Sequence, residues 1–464
     1  MHKLPAPVRR RLTGLALIAL ALGGAAPAAC AIDLLESYQA ALRGNAELLA
    51  ARAAAEAGRE ARAIAQAQLL PSASLNWSHY RNDLSTRTPV SGIEVDNQQR
   101  YTSRSGALVL RQPLYRPAAW AGYRRSESMV VQAEATLAQA EQDTGLKVAQ
   151  AYFDLLLARE GQLQLQTQAQ VIGTQLQAAQ RALVAGQGTR TDVDDAQARL
   201  DLTLARQAVA RDSVAQAVQA LQALIHQPFD RIRPLHVNSL NLAAPQPDDL
   251  AHWWQLGAQR SPTIAALKAE VDNLQADIGR LSAGHQPTLD AILQRSVTDR
   301  DSIYNPSATY RNTQIGVSLN IPLYAGGGIS AQVRQAIAAR EEAQHKLEAE
   351  QRQLRNDVRM AFQAVRQGVQ KIQALEQAER SAQQAVVSSE RGLAAGVRSR
   401  LDILNAQQQL SQAVLELARE RLAYLLAQVR LQALTGGLGE DQIGQVNQAL
   451  VRSAEVVPDV AASP

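Results

Sequence analysis

The stretch GVRSRLDILNAQ (396–407) decides the fold, because it recurs as GQGTRTDVDDAQ at 186–197. Aligned without gaps, the copies share Gly186 with Gly396, Arg190 with Arg400, Asp192 with Asp402, and an Ala-Gln ending. In each copy a glycine interrupts a very long helix-forming run, a basic and hydroxylated turn follows, and the helix restarts near an aspartate. The chain therefore reads as two hairpins of long helices, each tipped by one of these turns.

Working outward from the tips, no proline occurs between Pro117 and Pro228, nor between Pro322 and Pro458. Proline removes a helical hydrogen bond and clashes with the preceding turn, so these windows can hold unbroken helices. Ile172, Leu176, Ala179 and Leu183 step by 4, 3 and 4, and Leu415, Ala418, Leu422, Leu425 and Val429 step by 3, 4, 3 and 4. That mean step of 3.5 is the coiled-coil repeat. A helix over 118–185 would run roughly 100 Å at about 1.5 Å per residue. Only 4% of the 464 residues are aromatic while apolar residues reach 46%, which suits long Ala- and Gln-rich helices packed closely on neighbours better than a compact enzyme core.

Each hairpin is preceded by two segments with a period of two. In 72–80, Ala73, Leu75 and Trp77 alternate with Ser72, Ser74, Asn76 and Ser78; in 314–321, Ile315, Val317, Leu319 and Ile321 alternate with Gln314, Gly316, Ser318 and Asn320. Leu289, Ala291, Leu293 and Val297 repeat the pattern with Arg295 as an exception, and 103–112 is apolar on both faces from Ala107 to Leu110. Strands of about ten residues, apolar on one side and polar on the other, are what an outer-membrane barrel requires. A half-buried strand pair in a soluble sandwich has the same pattern. Residues 81–100 and 299–311 read as polar connections. Because the smallest such barrels need about eight strands, four can serve only if several chains contribute to one barrel.

The amino terminus sets the compartment. Lys3, Arg9, Arg10 and Arg11 precede a short apolar run and then small residues through Ala31, the pattern of a secretory signal peptide over 1–31 with cleavage after Ala28 or Ala31. A lipoprotein signal ending at Cys30 is the rival reading, but Pro27 stands where a leucine is expected. Those four cations account for the whole formal charge of +4, so the mature chain is near neutral and has no basis for nucleic-acid binding. Cys30 is the only cysteine, so no internal disulfide braces the chain.

The repeat covers nearly all the rest. QLLPSASL (68–75) corresponds to GHQPTLDA (284–291), RQPLY (111–115) to NIPLY (320–324), and VAQAYFDLL (148–156) to VRMAFQAV (358–365). Two units follow, 32–240 and 241–440, each a helix, a strand pair and a long helical hairpin, with 441–464 as a tail.

The order of these elements, the IPLYAGG turn, the QLLPSASL strand entry and above all AGVRSRLDILNAQ resemble the TolC family of outer-membrane export channels, over residues 34–438. One departure is Asn45-Ala46, where the family usually has Asn-Pro; Ser261-Pro262 retains the proline. The resemblance implies an α+β membrane protein and a homotrimer. Four strands per chain would form a twelve-stranded barrel in outer-membrane lipid, continued by a periplasmic α-helical barrel. Residues 34–69 and 251–281 would be shorter helices stacked end to end on the rising helices that begin near Thr191 and Leu401.

No catalytic constellation is present. The seven histidines, His2, His79, His226, His236, His252, His285 and His345, lack metal-ligand spacing, and Gly326, Gly327 and Gly328 lack the Lys of a phosphate loop. No cofactor is expected. At the tips, three symmetry-related Asp402 side chains would form a negative ring favouring cations, to which Asp192, Asp194 and Asp195 could add. By resemblance Asn405 stands where some relatives carry a second aspartate, and Arg398 is positioned to pair with Asp192 of a neighbouring hairpin as a latch. The competing account is that these acids are helix caps and solvated first-turn residues. The shared Gly-Arg-Asp spacing, more than one cap would require, tilts the reading toward function. Gly186, Thr189, Arg190, Gly396, Ser399, Arg400 and Leu401 are the surface expected to meet a periplasmic adaptor, a membrane fusion protein. The adaptor would join the duct to an inner-membrane ABC transporter or proton-driven pump. Type I protein secretion is the first expectation, a tripartite pump exporting small-molecule cargo the alternative, and a coiled-coil adaptor without a pore a third reading.

Overall fold

The computed structural model describes residues 31–90, 93–229, 231–233, 242–300 and 308–448. Residues 1–30 of the signal segment, including Cys30, and the histidines at 2 and 236 lie outside the described residues. The elements run β1 (Ala31–Ile32), α1 (Leu34–Gly44), α2 (Ala46–Ala67), β2 (Ser72–Val90), β3 (Ile93–Tyr115), α3 (Pro117–Val184), α4 (Arg190–Ile225), β4 (Arg231–Ile232), α5 (Leu250–Arg260), α6 (Pro262–Ser282), β5 (Thr288–Arg300), β6 (Ala308–Asn320), α7 (Gly328–Ala394), α8 (Arg400–Leu434) and α9 (Glu440–Asn447). The helix–strand pair–hairpin order thus occurs twice.

The 68 residues of α3 and 67 of α7 give helices of about 100 Å each. The 3.5-residue stripe is the packed one: Ile172, Leu176 and Ala179 on α3 and Leu422, Leu425 and Val429 on α8 are buried. Among the described residues no helix is long and apolar enough to cross a membrane.

Four strands form one antiparallel sheet in the order β2-β3-β5-β6. Directly paired residues share a face, so the register sorts the side chains. Ala73, Leu110, Leu293 and Ile315 form one apolar row, and Ala291 with Val317 and Leu289 with Leu319 continue it toward the helices. The opposite face carries Ser74, Val109, Gln294 and Gln314, then Asn76, Ala107, Ser296 and Asn312. On that face Ser78 and Ser105 share a hydroxyl hydrogen bond of 2.7 Å, and Asn82 Nδ2 donates to Ser103 Oγ at 2.9 Å.

The strands outrun the sequence reading. Residues 81–100, expected to be a connection, are almost wholly β2 and β3. Two directly opposite ion pairs rivet this polar extension, Arg100 to Asp83 at 3.0 Å and Arg87 to Asp96 at 2.7 Å. Both flanks of the 299–311 connection are strand as well, and its middle, 301–307, lies outside the described residues.

The shorter helices are each broken once. Asn45 ends α1 and caps α2, accepting from Leu48 N at 3.0 Å, while its Nδ2 donates to Leu224 O at the end of α4 at 3.2 Å. The cap side chain therefore does locally what a proline after it would otherwise do. In the second unit Ser261 separates α5 from α6 and Pro262 takes the first helical position. End-to-end stacking is seen at both breaks, since α1 meets the end of α4 and the α5–α6 break meets the end of α8.

The main core lies at this level, where α1, α3, α4, α8 and α9 converge around Tyr152, Leu155, Leu221, Ile225 and Tyr424. Asp33 caps α1 and takes the Arg233 guanidinium at 2.8 Å and Asn447 Nδ2 at 3.1 Å, tying both ends of the described chain to the middle. The stretch set aside as a tail therefore begins with a helix, α9, whose Ile443 is fully buried. At the sheet–helix junction Arg116, just before α3, grips Asp290 of β5 with two bonds of 2.9 and 2.7 Å.

Candidate functional site

Both hairpin tips are built by the same two local devices. Helix α3 ends with Gly186 at φ +72°, and α7 with Gly396 at φ +73°, in the left-handed region that favours glycine. Gln187 N donates to Ala182 O and Val397 N to Gly392 O, while each glycine N–H reaches back to Leu183 O or Leu393 O. These are Schellman endings. The next helix starts with a capping box three residues later. Thr189 Oγ1 accepts from Asp192 N at 3.1 Å, and Asp192 Oδ2 accepts from Thr189 N at 3.1 Å. In the second tip Ser399 Oγ accepts from Asp402 N at 3.2 Å and Asp402 Oδ2 accepts from Ser399 N at 2.8 Å.

Turn chemistry therefore accounts for the shared glycine, the shared hydroxyl and the shared aspartate at their spacing. The shared Arg190 and Arg400 have no part in these caps, so of the Gly-Arg-Asp spacing the arginine alone exceeds what the turn requires. What remains is charge. Hydrogen bonds from the Ser399 backbone and hydroxyl, with Arg398 adding a smaller pull, hold the Asp402 carboxyl below the usual carboxylate range. Asp402 is thus a fixed anion at neutral pH.

The structure sorts the other tip residues. Arg398 Nη1 lies 3.7 Å from Asp402 Oδ1 in its own chain, and within one protomer it makes no ion pair with Asp192. Arg190 pairs with Asp194 one turn on at 3.3 Å. Asp195 and Arg400 make no ion pair among the described residues. Asn405 is engaged from the other hairpin: Arg199 Nη2 of α4 donates to Asn405 Oδ1 at 3.1 Å, and its Nη1 to Gln408 Oε1 at 3.4 Å.

Sequence reasoning missed Arg199. Its one signal was a spacing of seven from Asp192, which puts it two turns up the same helix face. Also missed were the apolar residues flanking the glycines, Val184 at 90% and Val397 at 77% exposure, which with the half-exposed Leu401 make the tips locally apolar. Between the hairpins just above the tips lies a cavity of about 430 Å³, lined by Gln164, Gln168, Arg199, Arg206, Gln408 and Ser411.

An amphipathic four-stranded sheet too small to close, joined to helices of about 100 Å with acidic tips, is one segment of a tube. The family model described as outer membrane efflux protein matches residues 37–226 and 253–437. The chain belongs to this outer membrane efflux protein family. One matched segment runs from within α1 to the end of α4, and the other from within α5 to just past the end of α8.

Relatives within reach of the whole chain agree. The chain is 31% identical over 454 residues to the proteases secretion protein PrtF of Dickeya chrysanthemi, covering 97% of each. It is 31% identical over 428 residues to the alkaline protease secretion protein AprF of Pseudomonas aeruginosa, covering 89% of this chain and 86% of that one. The outer membrane protein VceC from Vibrio cholerae shares the fold at a TM-score of 0.74, with 20% identity over 87% of this chain and 96% of that one. The protein is an outer-membrane efflux channel that extends into the periplasm, with the α+β architecture of the trimeric channels: four strands per chain in one barrel, continued by helices.

Proposed function

We propose that the chain is the passive outer-membrane duct of a type I protein-secretion system, joined through a periplasmic adaptor to an inner-membrane transporter that supplies the energy. The observation carrying this reading is the 31% identity, over most of each chain's length, with PrtF and AprF, both named for protease secretion. Deleting the gene and comparing the extracellular proteins with the parent strain tests it. The expected outcome is loss of one or a few proteins from the medium, restored by the intact gene, with sensitivity to toxic small molecules unchanged. The reverse pattern would assign the duct to a tripartite efflux pump and sink the secretion reading.

The adaptor surface of this reading is the tips: Gly186, Thr189, Arg190, Gly396, Ser399, Arg400 and Leu401, supported by the exposed Val184 and Val397 beside them. The aperture is ringed by Asp402, with Asp192, Asp195 and Asn405 alongside, and Arg398 latches to Asp192 of a neighbouring hairpin. Because Asp402 also caps α8, the informative variant is Asp402→Asn, which keeps an oxygen for Ser399 while removing the charge. Cation selectivity in planar bilayers should fall severalfold, and unchanged selectivity would place the filter elsewhere. Since the folded carboxyl titrates below its unfolded value, the cap it makes for α8 is fully present above the unfolded pKa and is lost only as pH drops through the depressed one. Arg398→Ala or Asp192→Asn should raise single-channel conductance, and no rise in either would count against the latch.

A further inference from the structure

Four arginines stand on the apolar face of the sheet at its outer end. Arg295 is paired with Leu108, Arg311 with Val297, Arg104 with His79, and Arg81 with Thr102, so all four share the face of Leu110, Leu293 and Ile315. They occupy successive rows, each two residues further from the helices: Arg295 and Arg311 lie in the last two apolar rows, beside Leu75 with Leu108 and Trp77 with Val297, and Arg104 and Arg81 lie beyond them. From Leu289 to Val297 the apolar face runs about 26 Å along the strand at about 3.3 Å per residue, which a strand tilt of about 40° reduces to roughly 20 Å of membrane thickness. Trp77 stacks on His79 with ring centroids 6.2 Å apart, an amphipathic pair at the boundary between apolar and polar rows.

What sets these arginines apart is the absence of counter-ions. Further out, Arg100 and Arg87 each face a carboxylate directly across the ladder. By contrast Arg81, Arg295 and Arg311 have no ion pair among the described residues, and the one hydrogen bond of Arg104 goes to His79 Nδ1 at 3.3 Å. Among the described residues one acid shares these four rows, Asp299, which accepts from Thr309 Oγ1 at 2.8 Å, and Asp83, one row beyond Arg81, is already taken by Arg100. Four fixed cations against one carboxylate, lying at the edge of a hydrocarbon-facing band, form a site for an anion that belongs to the membrane. Arg295, the deepest, can lay its stem along the apolar rows and carry its head outward.

Because the helices extend into the periplasm, this end of the sheet lies in the outer leaflet, whose main lipid is a phosphorylated glycolipid. We propose that Arg81, Arg104, Arg295 and Arg311 bind the phosphate groups of outer-leaflet lipopolysaccharide and fix the height of the barrel in the membrane. The inference rests on the outer-membrane placement alone and is independent of the cargo.

The test is lipopolysaccharide retention by purified trimer after detergent washing, for the parent and for R104Q/R295Q/R311Q. The parent should retain on the order of tenfold more than the variant, dephosphorylated lipopolysaccharide should be retained poorly by both, and conductance should be unchanged because these side chains lie outside the lumen. Equal retention of lipopolysaccharide by parent and variant, or retention of the dephosphorylated form by the parent as strong as that of the phosphorylated form, would overturn the proposal. So would displacement of lipopolysaccharide by an equal concentration of phosphatidylglycerol, which would reduce the patch to unselective anion binding. Heat-dependent gel mobility shows whether the triple variant assembles. Should it not, the single Arg104→Gln variant, which lies beyond the apolar rows, should still show a severalfold loss, and full retention would overturn the assignment.

Discussion

Leu293→Arg is expected to eliminate assembled trimer from the outer membrane, whereas Gln294→Arg, one residue on, is expected to leave assembly intact and change conduction. Leu293 sits on the central strand β5 between Leu110 and Ile315, in the middle of the apolar rows. Gln294 sits between Val109 and Gln314 on the opposite face. Arginine on the lipid face near mid-bilayer costs about 2–4 kcal/mol, incurred three times in a trimer. On the lumen face it stays in water and places three cations in the duct, which should lower cation selectivity. Heat-dependent gel mobility reads assembly, and planar-bilayer recording reads the duct. Equal assembly of the two variants would contradict the lipid-facing assignment of the apolar rows.

That face assignment was legible in the sequence for the inner part of the sheet, because Ala73, Leu75, Trp77 and Ile315, Val317, Leu319 alternate so cleanly. It failed beyond Arg81, where both faces are polar and the period of two disappears. There the ladder continues on cross-strand pairs such as Asp83 with Arg100, visible only once the register is known. The hairpin tips were legible for the complementary reason: a left-handed glycine and a Thr/Ser-x-x-Asp box are local devices whose spacing is written in consecutive residues. Arg199 and α9 were hidden because their partners, Asn405 and the core around Tyr38, are remote in sequence.

The largest effect of a single methyl group is expected at Gly436. It follows Thr435, the fully buried cap of α8, at φ +66°. A β-carbon there would overlap the carbonyl oxygen of Arg260, at the end of α5, and would lie 3.2 Å from both Arg260 C and Pro262 Cδ. The carbonyl belongs to backbone fixed by the α5–α6 break and cannot swing aside as a side chain could. Left-handed backbone costs a non-glycine residue roughly 1–2 kcal/mol, and overpacking adds about 1–3 kcal/mol, so Gly436→Ala should lower the thermal midpoint of the trimer severely. Gly444→Ala is the control: it is helical, its added β-carbon meets nothing within 4 Å, and alanine there should gain about 0.5–1 kcal/mol. If the two variants melt alike, the stack of α5–α6 on α8 is not a rigid joint. The first repeat makes the corresponding joint with the Asn45 side chain and Leu224 O, and an added β-carbon at Gly44 would still stand 3.3 Å from Ile225 O, whereas at Gly436 it would overlap the Arg260 carbonyl. The second joint should therefore tolerate less change than the first. Because it lies one full α8 length from the tip, any Gly436→Ala trimer that does assemble should keep parental cation selectivity.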